Sequence, residues 1–268
     1  MSATDATFAG SIPALYEQYL GAFLFQPFAE DLAARLSDVT FGRILETAAG
    51  TGIVTRTMAG ALPLQVEIVA TDLNQAMLDQ AQTMLPAHNV TWRQTDAQSL
   101  PFEDGSFQAV VCQFGVMFFP DKQAAFREAL RVLRPGGRFL FNVWDRLDAN
   151  PVSKAVSDRV AERFPDDPPR FFERTPFGYF DESRIRSDLQ QAGFGTIAIE
   201  HVDKVSHAPS ARDAAIGLLQ GTPLRNELEA RAPGRLDEIT DDVAQVLAGR
   251  LGDGRIENRM RALVVTAR

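Results

Sequence analysis

A single cysteine, Cys112, stands in 268 residues. It excludes an intramolecular disulfide and a cysteine-bound zinc cluster, and its place in the apolar run Ala109 to Cys112 reads as a buried strand position. Basic charge is also short: 27 lysines and arginines face 35 acids, a net charge of -8. Affinity for a phosphate backbone comes largely from clustered Lys and Arg, so nucleic acid is not an expected partner. No apolar run approaches the roughly 20 residues that a membrane-spanning helix requires. No basic stretch followed by an apolar one opens the chain either, since Phe8 is the one large residue between Met1 and Gly10. A cytoplasmic protein with no membrane partner is the expectation.

What is present is the raw material of a globular core, with 45% hydrophobic and 23% charged residues. From residue 41 onward short β-rich runs alternate with helical patterns, the signature of a mostly parallel sheet with helices on both faces. Strands are expected at Arg43 to Thr47, Val66 to Thr71, Val90 to Thr95, Phe107 to Gln113 and Arg138 to Val143. A helix is expected over Asn74 to Leu85, capped by Asn74 and stopped by Pro86, and another over Asp121 to Arg134, stopped by Pro135-Gly136-Gly137. Asp181 to Ala192 reads as a helix ending at Gly193, followed by a strand near Thr196 to Ser206, helical pattern from Ala211 to Leu251 and a last strand at Met260 to Ala267.

Two segments fall outside this rhythm. Ile12 to Leu36 is an aromatic-rich helical preamble, and Asn150 to Tyr179 combines five prolines with Phe164, Phe171, Phe172 and Phe177. The second reads either as a lid or as an irregular loop whose rings fill a satellite core.

The chemistry concentrates in Ile44-Leu45-Glu46-Thr47-Ala48-Ala49-Gly50-Thr51-Gly52, where a β-run ends in an acid and turns through small residues into a helix. Gly50 and Gly52 permit positive φ and let a ligand lie against the backbone, and the helix start offers unpaired N–H groups. Asp72 ends the second strand twenty residues later, where a carboxylate can accept from both hydroxyls of a ribose. Asp96-Ala97 follows the third strand, suited to an adenine amino group, and Gln113-Phe114-Gly115 follows the fourth. Carboxyl ends of successive strands are where open α/β sheets bind ligands, so the four segments together point to an adenosine-containing cofactor.

The loop also discriminates between cofactors. A dinucleotide fingerprint needs G-x-G-x-x-G, and the aligned positions here are Ala48, Gly50 and Ile53. Glu46 would face an anionic pyrophosphate unfavourably, whereas a cationic cofactor with a free amino group suits it.

Residues 41 to 144 thereby resemble the core of the class I S-adenosylmethionine-dependent methyltransferases, in particular the group similar to ubiquinone/menaquinone-biosynthesis methyltransferases. The resemblance rests on Leu45 to Gly52, Thr71-Asp72-Leu73-Asn74 with Met77-Leu78, Thr95-Asp96-Ala97 with Leu100-Pro101-Phe102, and Leu133 to Gly137. It implies a Rossmann-like, mostly parallel seven-stranded sheet with helices on both faces, preceded by the helical preamble and carrying an insertion after the fifth strand. The single methyltransferase domain would comprise a preamble (1–40), a cofactor-binding core (41–149), a substrate-side insertion (150–180) and C-terminal helices and strands (181–268).

By the same resemblance the cofactor is S-adenosylmethionine, leaving as S-adenosylhomocysteine. Glu46, Ala48, Gly50 and Gly52 would hold its methionine part, Asp72 its ribose, Leu73 and Met77 its adenine face, Asp96 and Ala97 its adenine edge, and Gln113 would line the methyl-transfer end. Two positions depart from the pattern: Ala48 replaces the first loop glycine, acceptable if φ there stays negative, and Gln108 replaces an acid.

Methyl transfer from a sulfonium asks for proximity, orientation and exclusion of water more than for acid–base groups. No triad order and no metal-ligand spacing occurs, and the candidates for a proton acceptor are Tyr16, Tyr19, His201 and His207; His88 reads as a solvated turn residue. Phe114, Met117, Phe118, Phe119, Phe171, Phe172 and Phe177 are the expected walls of a substrate site for a small, largely apolar acceptor. A nicotinamide-dependent oxidoreductase and a non-catalytic binding module are the alternatives, and homodimerisation stays open.

Overall fold

The computed structural model describes residues 5–85 and 89–268. The expected His88 turn and the Pro86 stop lie outside the described residues. Seven strands form one sheet in the order β3-β2-β1-β4-β5-β7-β6. They are β1 (Gly42–Glu46), β2 (Val66–Asp72), β3 (Val90–Gln94), β4 (Phe107–Gln113), β5 (Leu133–Trp144), β6 (Ile197–Ala208) and β7 (Ile256–Ala267). The first five run parallel to their neighbours; β7 lies between β5 and β6, antiparallel to both.

The order has its switch point between β1 and β4, with β2 and β3 wound outward on one side. Ligand clefts in doubly wound sheets open there, beyond the carboxyl ends of the strands. β1 and β4 are buried on both faces, from Ile44 and Leu45 to Ala109, Val110, Val111 and Cys112, all 0% exposed. A continuous apolar run is what a central parallel strand needs.

The helices are α1 (Ile12–Leu15), α2 (Gln26–Ala34), α3 (Ile53–Ala61), α4 (Gln75–Met84), α5 (Lys122–Val132), α6 (Pro151–Arg163), α7 (Phe171–Arg174), α8 (Glu182–Ala192), α9 (Ala211–Gln220), α10 (Leu224–Arg231) and α11 (Leu236–Leu251). A ten-residue π-helix, Tyr16–Phe25, joins α1 to α2. Its wider i→i+5 turns are rare and are frequently found at functional sites. None of the helices among the described residues is long and apolar enough to cross a membrane.

Four expectations change. The proline-rich stretch 150–179 is neither wholly a lid nor an irregular loop: it contains α6 and α7, because Pro151 sits at the first helical position, where it is tolerated, and Pro165, Pro168 and Pro169 fall between helices. The helical pattern from Ala211 to Leu251 is three helices, broken at Gly221 and near Gly234. Asn74 occupies the N-cap position of α4 without a side-chain cap bond; its side chain donates instead to Asp72 Oδ1, 3.4 Å away.

Pro135-Gly136-Gly137, finally, does not simply stop a helix. α5 ends at Val132, and β5 already begins at Leu133 with a register shift against β4. Gly136 has φ 81°, and a Cβ on Gly137 would lie 2.9 Å from the carbonyls of Arg134 and Gln108. Gln108 also closes the start of β1, accepting from Arg43 N at 2.6 Å and donating to the Phe41 carbonyl at 3.0 Å.

Candidate active site

The loop after β1 is stitched to β2 and β4 by its own backbone. Thr47 N donates to Val111 O and Ala49 N to Thr71 O, both at 2.9 Å, while Thr71 Oγ1 donates to Glu46 O at 2.8 Å. Asp72, 6% exposed, completes the link: Oδ2 accepts from Gly50 N at 2.9 Å and Oδ1 from Asn74 N at 2.8 Å. Oδ2 accepts one bond and keeps acceptor capacity for a ribose hydroxyl, while Oδ1 also takes the longer 3.4 Å contact from the Asn74 side chain. Burial pushes the Asp72 carboxyl up, against these hydrogen bonds, which pull it down.

Ala48 departs from its expectation. Its φ is 54°, so the position is left-handed although it carries a side chain, at a cost of about 1–2 kcal/mol. Its Cβ packs on Gly115, where an added Cβ would meet it at 2.4 Å. Gly52 is also corrected. It is absent from the lining of either cavity at this site, and its φ of 80° with a bare Cα instead admits Trp92 of β3, whose ring would stand 2.7 Å from a Cβ. Gly50 does line the cavity, and a Cβ there would point at Met77 Cε, 3.5 Å away.

The main cavity, with the space at its open mouth included, spans about 1170 Å³ over the sheet's switch point. At one end it is lined by Ala48, Gly50, Asp72, Leu73, Met77, Asp96, Ala97 and Gln113, so eight of the ten expected cofactor contacts converge there. Asp96 is held by Gln98, whose N donates to Oδ1 at 2.8 Å. The other end is aromatic, with Phe114, Phe118, Phe119, Phe171, Phe172 and Phe177. Met117 is buried behind this wall rather than in it.

A smaller cavity of about 270 Å³ adjoins the first; Tyr16, Phe25, Ala48, Gly50 and Gln113 line both. Glu46, 1% exposed, lines only the smaller one and accepts from Thr55 Oγ1 at 2.6 Å. Burial pushes its carboxyl up to about 8; Asp72 adds to this, and Thr55 and Arg56 oppose it. Thr51 and Gln113 both line this space, and Thr51 Oγ1 and Gln113 Oε1 are buried with no hydrogen-bond partner among the described residues. A buried acid next to orphaned oxygens is a site for a polar, cationic group, and it fits the amino-acid end of S-adenosylmethionine.

The proton-acceptor candidates separate. Tyr16 stands at the junction of the cavities, stacked on Phe25 at 4.7 Å, and burial raises its hydroxyl far above the usual phenol range, with Asp72 and Glu17 adding to it. That shift favours the neutral hydroxyl over the phenolate. Tyr19 lies outside both linings and packs on Gly217 of α9. His201, on β6, contacts Glu182 at 2.8 Å and Asp145 at 3.4 Å, and neither it nor His207 lines the cavity.

Other lining residues escaped the sequence reading. Trp144, stacked on Phe114 at 3.8 Å, was accessible through the strand-end rule, since it closes β5. Phe8, Leu20, Ser153, Leu218 and Thr222 arrive from segments far apart in sequence, and no local pattern marks them. Among the described residues no group of three or more His, Cys, Asp or Glu is placed to hold a metal ion.

A doubly wound sheet, a β1 loop tied to a ribose-ready carboxylate, and a buried acid beside the junction define a nucleoside-cofactor-binding α/β protein of the methyl-transferring class. A family model described as "Methyltransferase domain" matches residues 44–137. The ubiquinone/menaquinone biosynthesis C-methyltransferase UbiE of Proteus mirabilis is 30% identical over 169 residues, 58% of this chain and 67% of that one. Its counterpart in Pseudomonas aeruginosa is 38% identical over 125 residues, 45% of this chain and 49% of that one. Among solved structures, a Haemonchus contortus phosphoethanolamine N-methyltransferase in complex with S-adenosylhomocysteine superposes with a TM-score of 0.61 at 16% identity, over 95% of this chain and 56% of that one. The YcgJ protein of Bacillus subtilis gives 0.57 at 18% identity, over 90% and 97%. The chain belongs to the class I S-adenosylmethionine-dependent methyltransferases.

Proposed function

We propose that the protein methylates a small, largely apolar molecule by direct transfer, with nucleic acid and membrane outside its partners. The observation that carries this reading is the lining of the main cavity. Its acids lie at the cofactor end, its far end is aromatic, and no lysine, arginine or histidine lines it among the described residues. An acceptor bearing a phosphate or carboxylate would lose its hydration there and gain no counter-charge. A flat or branched hydrocarbon body with a few polar groups fits such walls.

When bound, S-adenosylmethionine supplies an electrophilic methyl group on a sulfonium. In this reading Asp72 takes the ribose, Asp96 and Ala97 the adenine edge, Leu73 and Met77 the adenine face, and Glu46 with Gln113 the amino-acid end. The Phe114–Trp144 stack and Phe25 keep water from the junction and orient the acceptor. All segments act as one methyltransferase domain, with the preamble and α6–α7 as acceptor-side walls.

The test is transfer of label from methyl-labelled S-adenosylmethionine to two panels. One contains uncharged phenols, naphthols and quinols; the other contains phosphorylated amines and transfer RNA. Label in the first panel alone is expected, and label confined to the second would overturn the proposal.

A further inference from the structure

β6 closes the sheet on one side, and among the described residues only β7 pairs with it. Which of its peptide groups face outward follows from the ladder. Thr196 and Arg268 exchange both backbone bonds, at 3.0 and 2.9 Å, and the register runs on from Ile197↔Ala267 without a shift. Antiparallel ladders alternate, so the even-numbered residues of β6 turn their N–H and C=O to β7 and the odd-numbered ones turn theirs to the open edge. β7 keeps the same phase, since the Arg261 carbonyl accepts from Asp145 N on the β5 side. The outward Ile197 carbonyl accepts from Arg186 Nη1 at 2.8 Å. No hydrogen bond reaches the outward N–H and C=O groups of Ile199, His201, Asp203 and Val205 among the described residues.

Such an edge is a template for a further strand, and charged side chains are the usual way to blunt it. On β6 the charges are arranged so that they select a partner. A second copy brought up antiparallel by a two-fold axis pairs outward-facing residues with one another, so the axis passes beside a single residue. With the axis at Val202, Glu200 lies opposite Lys204 and His201 opposite Asp203, each twice by symmetry, while Ile199 meets Val205. An axis one residue away sets Asp203 or His201 against itself, and one two residues away does the same to Lys204 or Glu200. Opposite charges directly across a ladder stabilise it and like charges weaken it, which singles out the Val202 register. Glu200 and Lys204 are already oriented on the α2 side, by Arg35 at 2.6 Å and by Asp31 at 3.5 Å.

We propose that β6 is the interface of a homodimer. Two copies join antiparallel through Ile199 to Val205, with the two-fold axis at Val202, and their sheets become one. This pairing does not depend on what the enzyme methylates.

Sedimentation velocity of the full chain tests the pairing. The wild type should pass from monomer to dimer as its concentration rises through the micromolar range. Glu200→Lys sets lysines against Lys204, and Lys204→Glu sets glutamates against Glu200, so either variant alone should dimerise roughly tenfold more weakly. Mixed in equal amounts, the two should recover the wild-type dimer, because every lysine of one copy then faces a glutamate of the other. A folding defect gives no such rescue. Val205→Pro removes an outward N–H and leaves the β7 ladder intact, so it should weaken the dimer at an unchanged thermal midpoint. A wild type that stays monomeric throughout, its edge capped by its own charges or kept for a different chain, overturns the proposal. A dimer that none of the variants weakens, or that mixing does not restore, overturns it as well, since the copies then meet on another surface or in another register.

Discussion

Ala48 and Gly115 show how a single residue exchange is absorbed by its neighbour. A left-handed alanine is tolerated because the residue facing its Cβ has none. Ala48→Gly should therefore raise stability by up to about 1 kcal/mol, with the relief of φ strain partly offset by unfolded-state entropy. Gly115→Ala should be strongly destabilising, since its Cβ would also stand 2.7 Å from Cys112 Sγ. Urea melts of both variants check this, and a stable Gly115→Ala protein would contradict the packing argument. Glu46 sets a pH signature. An ordinary carboxyl near 4.5 is raised to about 8 in the folded protein, so between those values the folded chain holds a proton that the unfolded chain has lost. Stability of the ligand-free protein should accordingly fall as pH rises across that window. A bound cation favours the carboxylate, so binding should release a proton and affinity for S-adenosylmethionine should rise from pH 6 towards pH 8. Calorimetry in buffers of different ionisation enthalpy measures the proton; Glu46→Gln should abolish its release.

At the level of elements, segment 5–11 straps the preamble to the insertion. Asp5, 1% exposed, accepts from Arg174 Nε at 2.9 Å and from Thr175 Oγ1 at 3.0 Å, and Arg174 also reaches Glu227 on α10. Ala6 and Phe8 lie in the cavity wall, and Phe8 meets Phe118 edge-on at 5.8 Å. Asp5→Ala leaves a partly buried guanidinium with one acid fewer, a loss of about 1–3 kcal/mol. A lowered thermal midpoint and faster proteolysis ahead of Ile12 are expected; wild-type behaviour in both would show the strap to be held by its aromatic contacts alone. The strap was invisible in sequence, because Asp5 and Arg174 are 169 residues apart. The helices of the insertion were hidden differently. Proline frequency suggested irregularity, whereas what matters is that each proline falls at a helix start or beyond an end.

For the molecule as a whole, β7 is the last strand in sequence but not in space. It pairs along its length with β6 and by its second half with β5, so it joins the parallel part of the sheet to the edge. Removing residues 256–268 should yield an insoluble chain or one without a cooperative thermal transition, since β6 would lose the one strand it pairs with among the described residues. A soluble truncated protein with a normal melting curve would refute this. The sequence by itself determined the alternation of the first five strands with their helices, the choice of cofactor and the convergence of eight of the ten candidate cofactor residues on one cavity, because strand ends in such a sheet must converge and short motifs carry their own geometry. It could not determine that Gly52 serves Trp92, that Ala48 is left-handed, or that Tyr16 lines the cavity while Tyr19 and His201 do not. Those outcomes depend on which distant side chain fills the space beside each residue, and only the tertiary packing decides that.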